Sequence, residues 1–227
     1  DVDTVVVSSA IHPDNVELVA ARERGLRIWH RSAALASLML DHEAVSVAGT
    51  HGKTTTTAMI ATMATTAGAD PSYVVGSPLA STGESARIGK GTPFIVEADE
   101  SDGSFLQYPT RIAVITNVEA DHLDNWGSAE HYARGFERFA TGPTVRDVVI
   151  DADDAGAREL TGKLRRLASG PTVTTYGEAD DADARLSDIE FSGMHSSATL
   201  HFQGHEYALR LSVPGRKAYS WPWKCRV

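Results

Sequence analysis

Cysteine is nearly absent from these 227 residues. Cys225 stands alone, so no internal disulfide can form, and the chain suits a reducing cytosol. Aromatic residues make up only 7%, which leaves packing to Val, Ile, Leu and Ala. No apolar run reaches membrane-spanning length, and no charged segment leads into an apolar stretch of the kind that directs export. Positive charge is also short: 21 Lys and Arg face 30 Asp and Glu, for a net charge of −9. That balance argues against a broad nucleic-acid footprint, so any anionic ligand must be held by local devices. A hydrophobic content of 42% and a charged content of 22% describe an ordinary globular chain, long enough for one large domain or for one domain plus part of another.

One stretch supplies such a device. Val45 to Ala48 is a short apolar, β-branched run that stops at Gly49-Thr50-His51-Gly52-Lys53-Thr54-Thr55. A segment carrying Ala58, Met59, Ile60, Met63 and Ala64 follows and ends at Gly68, a helix C′ position. Strand, glycine turn, Lys-Thr and helix is the arrangement that cradles nucleotide phosphates, because the turn's N–H groups and the helix N-terminus face the anion. Gly49, Thr50, His51, Gly52, Lys53, Thr54 and Thr55 are the expected nucleotide contacts. Lys53 would reach the phosphates, and the Thr54 hydroxyl would ligate a divalent ion. The full eight-residue pattern wants a glycine at position 47, where Val47 stands.

Around this turn the chain reads as α/β. Residues 4–11 form an expected strand. A helix with Pro13 at its start and Gly25 after its end follows, then a strand over Leu26 to Trp29 and a helix capped by Ser32: βαβα, about half of a doubly wound, Rossmann-like unit. Asp41-His42-Glu43 makes a hinge, which divides the chain into residues 1–43 and 44–216. In the second part, residues 69–93 read as loops around one strand at Tyr73 to Val75. Phe94 to Val96, Ile112 to Ile115 and Val148 to Ile150 are continuous apolar runs, as central parallel strands are. Ser128 would cap a helix with Tyr132, Phe136 and Phe139 on one face, and a further short helix would run through Leu160. From residue 172 alternating patterns predict an antiparallel meander. The expected fold is therefore a P-loop-type, mostly parallel sheet flanked by helices, with a C-terminal antiparallel meander.

Two further polar segments follow inner strands, where open α/β sheets bind ligands. Glu97-Ala-Asp-Glu-Ser-Asp102 offers carboxylates of the type that hold Mg²⁺ beside phosphates. Thr116-Asn-Val-Glu-Ala-Asp-His-Leu-Asp124 gathers an amide, three carboxylates and an imidazole. No nucleophile–base pair stands out: Ser8-Ser9 lacks the strand-to-helix elbow, and no Cys/His grouping suggests zinc. The residues alone point to a Mg²⁺-dependent nucleotide-binding domain acting in phosphoryl transfer.

Taken together, these three segments resemble the Mur-ligase superfamily, and within it the members that join L-alanine to UDP-N-acetylmuramate. Ser8-Ser-Ala-Ile11 and Arg31-Ser-Ala-Ala-Leu-Ala36 are similar to the end of that group's UDP-binding domain. The resemblance runs from about residue 4 to Arg216. It implies ATP and Mg²⁺ as cofactors, Lys53 on the transferred phosphates, and Thr54, Glu97 and His122 as metal ligands. It also implies a cytoplasmic ligase that forms an acyl phosphate on the muramoyl carboxylate before the amine attacks. A sister ligase that reattaches recycled peptide, a non-catalytic Mg–ATP-binding module and a different phosphotransferase are the alternatives. The resemblance lacks the family's leading glycine-rich UDP turn and its closing amino-acid domain. It also breaks after Val213-Pro214-Gly215-Arg216, where residues 217–227 diverge. A fragment with a shifted reading frame or an artificial end is the expectation.

Overall fold

The structure, a computed structural model, describes residues 2–212. The divergent stretch 217–227, with Cys225, and the break after Arg216 lie outside the described residues. Among the described residues no helix is long and apolar enough to cross a membrane.

The first unit is βαβα as expected: β1 (Thr4–Val7), α1 (Val16–Glu23), β2 (Arg27–His30) and α2 (Arg31–Leu38). β1 and β2 pair in parallel, Thr4 opposite Arg27 through Val7 opposite His30. Both expected helix starts shift. Asn15, whose side chain accepts from the N–H groups of Glu17 and Leu18, caps α1, so Pro13 lies ahead of the helix. The chain enters α2 directly from β2 with no loop, so the cap is the last strand residue, His30, and Ser32 is buried inside the first turn. The expected strand over residues 4–11 stops at Val7.

The second unit is built on one ten-stranded sheet. Its elements are β3 (Glu43–Ala48), α3 (Lys53–Thr66), β4 (Ser72–Val74), β5 (Ala86–Arg87), β6 (Pro93–Glu97), β7 (Ile112–Ile115), α4 (Leu123–Trp126), α5 (Ala129–Ala140), β8 (Asp147–Asp151), α6 (Ala155–Leu164), β9 (Thr172–Gly177), β10 (Ala184–Ser192), β11 (His195–Phe202) and β12 (His205–Leu211). The order across the sheet is β12-β11-β10-β9-β8-β7-β3-β6-β4-β5. β3 pairs in parallel with β6 on one side and β7 on the other, and β7, β8 and β9 continue in parallel.

The apolar runs are continuous because both faces are covered. Phe94 and Val96 pack with Phe105, Phe136, Phe139, Ile115 and Ile150 on one face, while Ile95 packs with Tyr73, Val75, Leu79 and Ala61 on the other. Tyr132, Phe136 and Phe139 are buried at the i, i+4, i+7 spacing, and Ser128 caps their helix through the His131 N–H. Phe105 comes from a 3₁₀ turn, Ser104–Gln107, and stacks 4.9 Å from Phe139. Gly68, at φ +78°, closes α3 as the pattern requires.

The expected meander is one strand too long. β9 belongs to the parallel sheet beside β8, and β10 joins it in parallel over only two residues, Tyr176 opposite Ala184 and Gly177 opposite Arg185. A six-residue link is too short for a crossover helix. It suffices here because β10 starts where β9 ends and runs on past it. The antiparallel part is β10-β11-β12 alone.

Candidate functional site

β3 lies between β6 and β7, and all three point the same way. Their carboxyl ends therefore bring the turn 49–52, the acidic loop 97–102 and the segment 116–122 to one sheet edge. The turn needs its two glycines. Gly52 sits at φ +88° and starts α3 with no side-chain cap, which leaves the first helical N–H groups to face a ligand. Gly49 sits at φ +141°, and a Cβ there would run into the Thr116 hydroxyl.

The β7 segment fastens this turn in place. Asn117 accepts from the His51 N–H at 2.9 Å and donates to the His51 carbonyl at 2.8 Å. Thr116 Oγ1 donates to the same carbonyl at 2.6 Å. Thr50 Oγ1 donates to the Glu119 carbonyl at 2.7 Å and lies 2.9 Å from the Tyr132 hydroxyl. Burial raises the Tyr132 phenol well above its ordinary value, with the Glu100 charge adding to the rise against the Thr50 bond, so it stays a neutral partner.

The four carboxylates of the acidic loop have four separate partners. Glu97 Oε1 accepts from Thr54 Oγ1 at 2.8 Å, and its Oε2 accepts from the Gly76 N–H at 2.6 Å. Asp99 pairs with Arg31 of α2 at 3.4 Å, and Asp102 accepts from Ser9 at 2.9 Å, which ties residues of the first unit to this loop. Glu100 is fully buried and meets Lys53. Its Oε1 accepts from Nζ at 3.0 Å, while Oε2 lies 2.9 Å from the same nitrogen, out of line for a hydrogen bond. Lys53 also donates to the Gly49 carbonyl at 2.7 Å.

Lys53, Thr54 and Glu97 thus stand together with the whole turn from Gly49 to Thr55. His122 does not join them by any hydrogen bond or ion pair. It occupies a left-handed position, φ +50°, ahead of α4, with its side chain 41% exposed and Asp121 at 4.0 Å. Among the described residues no three His, Cys, Asp or Glu side chains are grouped to hold a metal without further ligands. Glu100, Asn117 and Tyr132 are site residues that the sequence reading did not single out. Glu100 and Asn117 stood inside quoted segments, and Tyr132 counted only as core.

An uncapped helix start, the ammonium of a part-buried lysine and a hydroxyl–carboxylate pair make a cradle for phosphates with oxygen ligands beside it. Comparison with known proteins shows the family. The Mur ligase middle domain matches residues 47–220, and the Mur ligase family catalytic domain matches residues 1–43. UDP-N-acetylmuramate–L-alanine ligase of Cutibacterium acnes is 62% identical over 213 residues, covering 94% of this chain and 45% of the relative. The enzyme of the same name from Paenarthrobacter aurescens is 49% identical, over 95% of this chain and 46% of that one. The crystal structure of the UDP-N-acetylmuramate–alanine ligase of Thermotoga maritima superposes with a TM-score of 0.79 at 30% identity, over 95% of this chain and 48% of that one. The chain spans about half the length of the curated relatives it matches. With the middle-domain match covering most of its residues, this chain belongs to the Mur ligase family.

Proposed function

We propose that this chain is part of a cytoplasmic, ATP-dependent ligase that joins L-alanine to UDP-N-acetylmuramate, a step of peptidoglycan precursor synthesis. One observation carries the reading: the ends of β3 and β6 bring Lys53, Thr54 and Glu97 to one uncapped helix N-terminus, and the segment after β7 fastens the turn between them. The 62% identity to a ligase of that name favours L-alanine as the amine over recycled peptide. The UDP-N-acetylmuramate:L-alanyl-gamma-D-glutamyl-meso-diaminopimelate ligase from Neisseria meningitides shares the fold at a TM-score of 0.79 but at only 22% identity. We assign residues 1–43 to the UDP-binding, Rossmann-like domain and 44–216 to the ATP-binding domain.

In this reading the N–H groups of the turn and of the first helical turn hold the phosphates, and Lys53 adds a charge-assisted hydrogen bond to the group being transferred. The Thr54 hydroxyl and the Glu97 carboxylate, already 2.8 Å apart, would hold Mg²⁺. His122 would be a third ligand, on a segment tied to the turn through Glu119 and Thr50. Magnesium, when bound, neutralises charge on the migrating phosphoryl group. The acceptor carboxylate takes that group, breaking its bond to the β-phosphate oxygen and releasing ADP, to give an acyl phosphate. The amine of L-alanine then attacks the acyl carbon and expels phosphate. No covalent side-chain nucleophile is needed; the residues position and neutralise.

The test is binding of Mg–ATP to the 227-residue chain and to Lys53→Ala. Removing a charge-assisted contact worth about 1.5–3 kcal/mol should weaken binding roughly 10- to 150-fold. Lys53→Ala/Glu100→Gln, which leaves no unpaired buried charge, keeps the comparison if the single variant is unstable. Equal affinity in wild type and variants, or no binding by the wild type, refutes the reading.

A further inference from the structure

The lysine meant for phosphate is already engaged. Its side chain is 16% exposed, and its ammonium donates to the Gly49 carbonyl, to the Thr50 carbonyl at 3.4 Å and to the carboxylate of a fully buried Glu100. A carboxylate and a terminal phosphate present the same face to an ammonium, namely anionic oxygens at about 2.7–2.9 Å. We propose that Glu100 is a built-in occupant of the phosphate's place on Lys53, which the nucleotide must displace, so that nucleotide binding is coupled to uptake of one proton by Glu100. The inference rests on the nucleotide reading given above and adds the cost and the proton linkage of filling that site.

Geometry makes the carboxylate unable to follow the lysine or to leave. The Glu100 carbonyl accepts from Trp126 Nε1 at 3.0 Å and from the Gly103 N–H at 3.2 Å, so the backbone is held from two directions. The side chain has no exposed surface, and Oε2 has no hydrogen-bond partner. Three charged or titratable groups face it: Lys53 from α3, Asp99 from its own loop and the Tyr132 phenol from α5. Lys53 is the one cation among them. In the empty site burial already raises the Glu100 carboxyl, and Lys53 opposes the rise. A phosphate that takes over the ammonium removes that opposition and brings more negative charge nearby. A buried carboxylate in that position stays only by accepting a proton, one O–H bond forming on Glu100 as the bond to that hydrogen in a buffer acid breaks.

The sign follows from linkage. Glu100 binds a proton more tightly with nucleotide present, so affinity should fall as pH rises between its empty-site and its filled-site value, by about tenfold per unit within that window. Glu100→Gln holds no charge to neutralise, and it should bind without that slope.

Isothermal titration of the 227-residue chain with the Mg²⁺ complex of a non-hydrolysable ATP analogue, at pH 8 in two buffers of different ionisation heat, measures the proton directly. The wild type should show buffer-dependent heats that correspond to proton uptake. Glu100→Gln should lose that dependence and bind about tenfold more tightly at this pH. Binding with buffer-independent heats in the wild type, or weaker binding by Glu100→Gln as a merely structural role requires, overturns the inference while leaving the nucleotide reading intact. No binding at all overturns both. If Glu100→Gln fails to fold, the wild-type heats alone decide.

Discussion

Replacing Lys53 by Met should destabilise the protein in a way that pH can undo. The aliphatic stem is kept, but Glu100, with no exposed surface, loses the one cation that pairs with it among the described residues. A buried carboxylate without a partner neutralises instead of staying charged. The largest penalty is therefore the work of protonating it, from the ordinary value of 4.5 to the working pH. At pH 7.5 that is three units, or about 4 kcal/mol at 1.36 kcal/mol per unit. The wild type already carries part of this burden, because its own Glu100 is raised by burial, so the difference should be about 2–4 kcal/mol. For a chain of this length each kcal/mol moves the melting temperature by roughly 2–4 °C. The expected deficit is then about 5–15 °C at pH 7.5. The variant's folded carboxyl is raised above its unfolded value, so the penalty grows as pH climbs above the unfolded value and shrinks to under about 1 kcal/mol near pH 5. Thermal melts of wild type, Lys53→Met and Lys53→Met/Glu100→Gln at pH 5 and 7.5 make the assay. A deficit of equal size at both pH values, or no recovery in the double variant, refutes the account of a buried charge held by one lysine.

Three further outcomes follow from the same geometry. Asp151 is buried at the end of β8, its Oδ2 has no hydrogen-bond partner, and burial, with Asp153 and Asp154 beside it, pushes its carboxyl up to about 7. Because the folded value exceeds the unfolded 3.8, stability is lost as pH rises from about 4 to 7; Asp151→Asn should be more stable above pH 7 by up to about 4 kcal/mol, and identical urea midpoints for the two proteins at pH 5 and 8 would show otherwise. Gly49→Ala places a methyl against the Thr116 hydroxyl at a φ that L-residues rarely adopt; about 1–3 kcal/mol of stability and most nucleotide affinity should be lost, and a calorimetric trace equal to wild type contradicts this. Asn117→Ala strips two hydrogen bonds from the His51 backbone, which should cost about 1–3 kcal/mol and weaken nucleotide binding, whereas replacing the exposed Glu206 should change neither.

The parallel core could be read from the chain because burial on both faces leaves unbroken apolar runs, and α5 could be read because three aromatic side chains keep the helical period. The same logic misplaced β9. Val173 to Tyr176 mixes apolar and polar residues as a meander strand does, but the polar Thr175 is buried and donates its hydroxyl and N–H to Asp183 instead of facing solvent. The helix caps shifted for a related reason: whether Asn15 or Pro13, His30 or Ser32 starts a helix depends on how the preceding strand ends, and a list of favoured residues does not contain that.

The acidic loop shows where reading by residue type stops. Glu97, Asp99, Glu100 and Asp102 are four carboxylates within six positions, and at the level of sequence they are interchangeable. Folding separates them completely, to Thr54, an arginine of the first unit, Lys53 and Ser9. Strand alternation accounts for part of this division. Glu97 continues the line of β6 and pairs across from Val47, so it must face the turn that follows β3. Beyond the strand end, the direction of each side chain is set by backbone bonds made elsewhere. Trp126, 26 residues beyond Glu100, reaches back to hold the carbonyl of the residue whose carboxylate is buried. A residue that far away in sequence decides which acid meets the lysine. That is why Glu97 could be named from its place after a strand while Glu100, three residues later, needed coordinates to be found.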